Sequence, residues 1–467
     1  MASIRDWKQR IKSNILGIPA LGEFLSATTV EAACREEGHV WRRSFWSPSV
    51  TLTTFLIQIL SAEKTLRSAV ASLLTQLVAG RESFLPSGDA AAYCQARKRF
   101  PEPVIGSMLR HSVTHLRSQI TKDNGWLGRR VWMVDGSGVS MPDTPELQEV
   151  FPQPPGQKVG CGFPVAQFVA LFCWTTGAVH DVAIDTIRPH ELTLFRRLWH
   201  HLEPGCVVLA DRAYCAYTDM ALLLQKEVFS VIRLHQRRKS DFRKGKRLGP
   251  GDRLIQWTRP KQWKPAMGIT KQELEQLPEV LPVRVVRITE IPKGFRAKPM
   301  VIATTLLDPV ETPADEIRSL YRDRWTAELN LRSLKIALGM DVLRGQTPDV
   351  VRKEIAMHLL AYNLIRLVMW QAALEHGCDL HRLSFTGTLH RLRSAWPMLA
   401  LLSGRNTAHA EALLSILLRG IEEGIEGQRV SSEGFEGYRG GVSRVSRRVS
   451  RDTHFNFRMV SRDTHFN

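Results

Sequence analysis

Hydrophobic and polar positions change their spacing several times along the chain, and each change marks a different kind of element. Through "TLTTFLIQILSAEKTLRSAVASLLTQLV" the apolar residues recur at helical spacing among good helix formers. "YCQARKRFPEPVIGSMLRHSVTHLRSQI" then reads as a basic helix start, a proline break and another amphipathic helix. Residues 1–125 are expected to form a small helical domain. From about residue 130 the runs shorten. "RRVWMVDGSGVSMPD" is a short apolar run that ends in an acid and passes into glycine-rich turns, and "FPVAQFVALFCWTTGAVHDVAIDT" reads as two strands joined by a Thr-Gly turn. "HELTLFRRLWHHL" is a helix, "GCVVLADRAY" a buried strand stopping at Asp211, "TDMALLLQKE" a helix and "VFSVIRLH" a strand. This order predicts an α/β domain with a mixed sheet.

Further on, "PVRVVRIT" and "KPMVIATTLL" are predicted strands of a separate small sheet, with "PKGF" as the turn region. "TPADE" opens a helix, with Thr312 as N-cap, Pro313 at the first helical position and acids in the first turn. Residues 352–426 are again helical in pattern. The tail, 427–467, is rich in Gly, Ser and Arg and carries the octapeptide "VSRDTHFN" twice, at Val449–Asn456 and Val460–Asn467. So short a duplication is no packing repeat, and the tail is expected to be disordered.

The helix after "TPADE" contains "YRDRWTAELNLRSLK", which has no clean apolar stripe. At about 100° per residue, Tyr321, Arg324, Glu328 and Lys335 fall within a sector of roughly 60°. Leu331, Leu334 and Leu338 flank this line on one side, and Trp325, Leu329 and Ile336 on the other. The pattern predicts a partly buried polar line between two apolar walls, which needs partners for its polar groups. An internal Arg324–Glu328 ion pair at i,i+4 spacing is the plainer alternative.

Composition narrows the class. The chain has 467 residues, enough for two to four domains, and 43% of them are hydrophobic. No apolar run reaches about 18 residues, and "FPVAQFVALFCW" reads as buried strand, so no membrane span is expected. The start, "MASIRDWKQRIKSN", lacks the apolar segment of a secretory signal. Seven cysteines without a CxxC pair point to reduced thiols in the cytoplasm rather than to a zinc site or a disulfide scaffold. The net charge of +18 implies a polyanionic partner, with nucleic acid the first choice. Eight of the fifteen residues from Arg233 to Arg247 are Lys or Arg, among them Arg237, Arg238 and Lys239. Arg97, Lys98 and Arg99 fit either phosphate contact or a solvated helix face.

Two acids, Asp135 in "VWMVDGS" and Asp211 in "CVVLAD", terminate apolar strands, where a strand fixes the carboxylate and the following loop opens a cleft. Either alone reads more readily as a turn cap. With Glu328 they form an ordered set of three carboxylates, a donor set suited to a hard divalent cation such as Mg²⁺. Two such ions could activate an attacking hydroxyl and stabilise a leaving oxygen in phosphoryl transfer. His190–Glu191 and the His200–His201 pair invite a metal reading, but no third ligand has matching spacing. "DGSG" lacks the lysine and glycine spacing of a phosphate loop, so no nucleotide cofactor is expected.

The strand order, Asp135, Asp211, Glu328, the "DGS" and "ADRAY" segments and the Y-x2-R-x3-E-x6-K spacing of Tyr321, Arg324, Glu328 and Lys335 resemble the DDE transposases of the insertion-sequence-4 family. The resemblance spans roughly residues 40–420. It implies an RNase H-like mixed-sheet core at 126–351 with a β-rich insertion at about 236–311. Helical regions would flank the core, a DNA-binding one at 1–125 and a possible dimerisation region at 352–426. It further implies cut-and-paste transposition of a bacterial insertion sequence: nicking of the element ends, hairpin formation and opening, and strand transfer to target DNA. Asp135, Asp211 and Glu328 would hold Mg²⁺, with Mn²⁺ as a substitute and two ions in all. Tyr321, Arg324 and Lys335 would contact the DNA end, with Arg212 beside them and Arg233, Arg237, Arg238 and Lys239 on the backbone. Double-stranded DNA would be the partner of a homodimer assembled on it, in the bacterial cytoplasm at the nucleoid. The family's insertion offers a tryptophan to a flipped base; here the strand "KPMVIATT" carries Met300 in place of an aromatic, and Trp257 and Trp263 read as packing. A nuclease that cleaves without joining, or a copy that only binds DNA, remain alternatives.

Overall fold

The computed structural model describes residues 21, 24–79, 85–118, 120, 125–158, 160–238, 240–265, 268–289, 300–402 and 407–423. The start of the chain, Lys239, the "PKGF" turn region and the duplicated tail lie outside the described residues.

The N-terminal helical pattern resolves into α1 (Ala27–Glu36), α2 (Pro48–Leu60), α3 (Leu66–Ala79), α4 (Ala90–Arg99) and α5 (Glu102–Ser118). Nearly every α2 side chain is buried, as an all-round apolar helix requires. The long run read from the sequence is broken after Leu60. The Ser61 hydroxyl accepts the Lys64 N–H at 2.9 Å and donates to the Gln58 carbonyl at 3.0 Å, and Lys64 itself takes a φ of 55°. Arg97 is buried rather than phosphate-facing: its guanidinium lies over Phe55 and donates to Gln58, while Lys98 and Arg99 are exposed.

The sheet begins with β1 (Val131–Ser140), and a short helix α6 (Pro145–Val150) precedes β2 (Val165–Cys173) and β3 (Val179–Thr186). Next come α7 (Glu191–Arg197), a 3₁₀ turn at Trp199–His201, β4 (Val207–Ala210), a second 3₁₀ turn at Arg212–Tyr214, α8 (Tyr217–Gln225) and β5 (Phe229–Arg233). β1–β2–β3 are antiparallel, whereas β1, β4 and β5 are parallel, giving the order β3-β2-β1-β4-β5 of an RNase H-like core. One expectation changes here. No turn follows Asp135; β1 runs straight through "DGSG" to Ser140, paired to β2 along its whole length. Gly136 serves close approach instead of turning.

The insertion contributes β6 (Lys246–Gly249), β7 (Asp252–Thr258), α9 (Lys271–Gln276), β8 (Val280–Ile288) and β9 (Met300–Thr304). Its strands form no separate sheet. β9 pairs with β5, so a single sheet of nine strands continues as β5-β9-β8-β7-β6. Pairing satisfies the backbone of β5, which would otherwise present an open edge. The insertion is tied down by Arg284, fully buried, which donates to both Asp252 oxygens at 2.9 and 2.6 Å and to the Thr312 carbonyl at 2.7 Å.

That use of Thr312 explains the next departure. Its hydroxyl donates to the Asp308 carbonyl at 2.7 Å, so it does not cap the following helix. Helix α10 (Ala314–Asp323) starts with Pro313 at the N-cap position, with Asp315 and Glu316 in its first turn. It is followed by α11 (Trp325–Arg332), a π-helical turn at Ser333–Ala337 and α12 (Pro348–His376). A 3₁₀ turn at Leu380–Arg382, α13 (Phe385–Leu402) and α14 (Thr407–Glu423) complete the described chain. Helix α12 is buried along almost its whole length and packs on α2, α5, α13 and α14. One continuous core joins it to the N-terminal helices and to one sheet face; a second core fills the opposite face beneath α7 and α8. Among the described residues, no helix is long and apolar enough to cross a membrane.

Candidate active site

The site is built where the parallel strands β1 and β4 end. Val134 pairs with Ala210, so Asp135, the next residue of β1, and Asp211, the first residue past β4, lie at the neighbouring ends of two parallel strands. β4 stops at Asp211 because its carboxylate turns back to accept the Ala213 N–H at 2.7 Å and caps the 3₁₀ turn. Asp135 accepts the N–H of Gly136 at 2.9 Å.

Glu328 lies on α11, which packs on β1. The segment that carries it is not the single ideal helix the sequence suggested. The chain breaks at Arg324 between α10 and α11, and opens into a π turn around Lys335. Such π turns recur at functional sites because they re-aim side chains within a continuous helix. Here the Lys335 Nζ donates to the Ser137 Oγ at 2.9 Å, clamping the π turn onto β1 two residues beyond Asp135. The Arg324 guanidinium approaches Glu328 at 3.9 Å, and its charge also reaches Asp135. The ion pair and the site are therefore not alternatives: Arg324 sits between two of the three acids. The predicted wall of Leu331, Leu334 and Leu338 is buried. The other wall is not, since Trp325, Leu329 and Ile336 are 55%, 45% and 63% exposed, so the polar line borders the core on one side and an open rim on the other.

Tyr321 is buried beneath this rim, and its hydroxyl has no hydrogen-bond partner. Burial holds that phenol well above its ordinary pKa, with the Arg324 and Arg233 charges opposing. Arg233, at the exposed end of β5, thus shares a neighbourhood with Tyr321. Arg212 is exposed and donates to Gln236 at 3.0 Å; Arg237 is exposed as well. Arg238 is half-buried, its guanidinium 3.9 Å from the centre of the Trp257 ring, so one of its faces is taken. Trp257 is core, as read from the sequence, whereas Trp263 is partly exposed and donates to the Ile269 carbonyl at 2.6 Å.

A fourth acid joins the site that spacing along the sequence did not assign. Glu191 is the first residue of α7, and a Cβ placed on Gly136 would come within 2.9 Å of its carboxyl carbon. Only glycine after Asp135 leaves room for it. Glu191 accepts from Gln167 at 3.2 Å. Its neighbour His190 has a local duty, capping α7 by accepting the Leu192 N–H at 3.3 Å. The signal was present in "HE" at a helix start, but the partner is a glycine on a strand, which ligand spacing does not reveal. Burial raises Asp135 to a pKa of about 6; the Asp211 and Glu191 charges add to this, while the Gly136 N–H and Arg324 oppose it. The donors here are carboxylate oxygens, the type a hard divalent cation takes, although among the described residues no three of these acids bring their oxygens within 4.8 Å of one another. The donor type fits such an ion.

The His200–His201 pair, for which the sequence offered no third ligand, does have one: Asp181 on β3, at a separate place on the sheet edge. Among the described residues, this is the group of three whose ligand atoms all lie within 4.8 Å of one another.

The chain is similar to known proteins over these same elements. The family model described as transposase DDE domain matches residues 126–364, about half of the chain and all the elements that carry Asp135, Asp211 and Glu328. A curated relative, the transposase InsG for insertion sequence element IS4 of Escherichia coli (strain K12), is 25% identical over 380 residues, covering 79% of this chain and 80% of its own. Among solved structures, the cryo-EM structure of the piggyBac transposase synaptic complex with hairpin DNA overlaps 88% of this chain and 86% of its own. Its TM-score is 0.44 at 9% identity.

Proposed function

The chain belongs to the DDE transposases, enzymes that cleave DNA and join its strands, and from that premise we propose that it moves a bacterial insertion sequence by a cut-and-paste route. In this reading each element end is nicked, the freed 3′ hydroxyl attacks the opposite strand to give a hairpin, the hairpin is reopened, and the end is transferred to target DNA. The observation that supports it is the pairing of Val134 with Ala210, which sets Asp135 and Asp211 at the neighbouring ends of two parallel strands, while the Lys335–Ser137 contact ties the segment that carries Glu328 to β1.

Family members use divalent metal, and here Asp135, Asp211 and Glu328 would hold Mg²⁺, or Mn²⁺ in its place, as one or two ions. The metal supplies charge neutralisation at the reacting phosphate. The chain's own groups do the rest. Arg324, poised between two acids, and Lys335, already oriented by Ser137, bind phosphate oxygens flanking the scissile bond. Tyr321 holds a hydroxyl with nothing yet to bond, ready for the DNA end. Arg212, Arg233 and Arg237 extend the cationic track, and Arg238 offers its uncovered face; Lys239 belongs to the same basic stretch. The N-terminal helices would take more of the DNA. A homodimer on DNA would have to use α13 and α14, because the surface of α12 is consumed within the chain.

Replacing Glu328 with Ala tests the reading. Binding to element ends in a gel-shift assay should persist, while Mg²⁺-dependent nicking should fall to background. Nicking retained by that variant removes Glu328 from the reacting set.

A further inference from the structure

β3 is the outer edge strand of the sheet, and its pairing to β2 contains an irregularity. Phe172 pairs with Val179 and Leu171 with Asp181, so His180 is an extra residue opposite no partner. In a regular strand, consecutive side chains point to opposite faces. A bulge of this kind re-aims a side chain, and bulges concentrate near sites. The result here is that His180 and Asp181 both face the end of α7. The His180 ring lies 4.7 Å from that of Trp132 and 4.5 Å from that of His201, and Asp181 Oδ2 is 2.6 Å from His201 Nε2. From the other side, the 3₁₀ turn Trp199–His201 presents a second consecutive pair, with the His200 and His201 rings 3.8 Å apart.

Three imidazoles and one carboxylate thus converge from two elements far apart in sequence. Three of the four are oriented or left free for a ligand, and His201 is held through its Nε2 by Asp181. The other Asp181 oxygen accepts the Val182 N–H at 2.7 Å, which orients the carboxylate. The Nδ1 of His200 lies 2.9 Å from the Arg197 carbonyl, a contact that a protonated Nδ1 makes and that leaves Nε2 with its lone pair. The Nδ1 of His180 is buried without a hydrogen-bond partner. Asp181 pairs with Leu171, which pairs with Val134, and the Leu171 and Val134 side chains belong to the core beneath α7. Asp135 pairs with Ala170 of the opposite core. The cluster is therefore distinct from the carboxylate site and lies two strands away from it.

We propose that Asp181, His200 and His201, with His180 as fourth ligand, form a binding site for a borderline transition-metal ion, Zn²⁺ first, that fastens the C-terminal end of α7 to the sheet edge. Imidazole-rich donors select Zn²⁺ and its neighbours over Mg²⁺, which takes oxygen ligands and keeps its waters. A tetrahedral shell at about 2.0–2.1 Å spaces its ligand atoms roughly 3.3 Å apart, so the Asp181–His201 hydrogen bond opens slightly as the ion enters. The consequence reaches the active site, since α7 begins with Glu191. An ion holding one end of this short helix steadies the carboxylate at the other.

The test uses the full chain, stripped with chelator and titrated with Zn²⁺ or Co²⁺. One ion should bind per chain in excess Mg²⁺, Zn²⁺ should raise the melting temperature, and Co²⁺ should give the intense visible absorption of a tetrahedral centre. His200 is exposed, so His200→Ala leaves the fold intact; it and Asp181→Asn should each weaken binding at least about tenfold. Asp211→Asn, at the carboxylate site, should bind Zn²⁺ as the parent does. Absence of binding by the parent chain, equal binding by His200→Ala, or loss with Asp211→Asn would each overturn the proposal. Equal binding by His200→Ala would assign the ion to other donors, such as the exposed Cys161.

Discussion

Replacing Asp135 with Asn should stabilise the metal-free protein at neutral pH while abolishing cleavage. Burial, reinforced by the Asp211 and Glu191 charges, raises the carboxyl from 3.8 to about 6 in the folded chain. A group that binds its proton more tightly when folded favours folding only while protonated. The folded state therefore loses stability as pH rises from below 4 through 6, and above that the cost is constant. Two pKa units correspond to about 3 kcal/mol, an upper figure because Asp135 is only partly buried. Asn keeps an oxygen for the Gly136 N–H and carries no charge. For a cooperative unit of this size, 3 kcal/mol shifts the melting temperature by roughly 3 °C. Thermal unfolding of both proteins in chelator, from pH 3.5 to 8, measures it: a gap of a few degrees above pH 7 that closes below pH 4. Mg²⁺ should narrow the gap by stabilising the parent chain alone. A variant no more stable than the parent at pH 7.5, or one with the same advantage at pH 4, refutes the reasoning.

Gly136→Ala places a methyl group 2.9 Å from the Glu191 carboxyl, so it should displace that carboxylate. Metal-dependent nicking should then fall at least about tenfold, with the circular dichroism spectrum unchanged; parental nicking would show that Glu191 has no part in the site. Asp252→Ala leaves the fully buried Arg284 without its carboxylate and should cost about 3–5 kcal/mol in denaturant unfolding. The double replacement Asp252→Leu with Arg284→Met should recover much of that, and a double variant as unstable as the single one would count against the buried-charge account.

Which parts of this protein could be read from its sequence follows from the range of the interactions that make them. β1 to β5 announce themselves because each buried strand is a local apolar run, and their order then limits the topology. Asp135 and Asp211 were legible for the same reason, as acids that end such runs. The Tyr321, Arg324, Glu328 and Lys335 spacing was legible because one helical segment carries all four. What failed was set by partners distant in sequence. Thr312 looked like a cap, but the Asp308 carbonyl holds its hydroxyl and Arg284 its carbonyl. The "DGSG" glycines looked like a turn, yet β2 extends β1 through them and Glu191 needs the space. The insertion looked like its own sheet because nothing in "KPMVIATT" says that β5 lacks a neighbour.

Distant partners also account for the irregular helical segment that carries Glu328, the third acid of the carboxylate set. A uniform α-helix would align Tyr321, Arg324, Glu328 and Lys335 along one line, but the groups they serve do not lie on a line. Tyr321 sits near Arg233 at the end of β5, Arg324 near Asp135 on β1, and Lys335 against Ser137 farther along β1. These targets fan out across a twisted sheet. The break at Arg324 and the π turn at Ser333–Ala337 bend the line to follow them. Spacing along the chain determines which residues face the sheet, and the twist of the sheet decides where the helix must depart from ideal geometry to reach it.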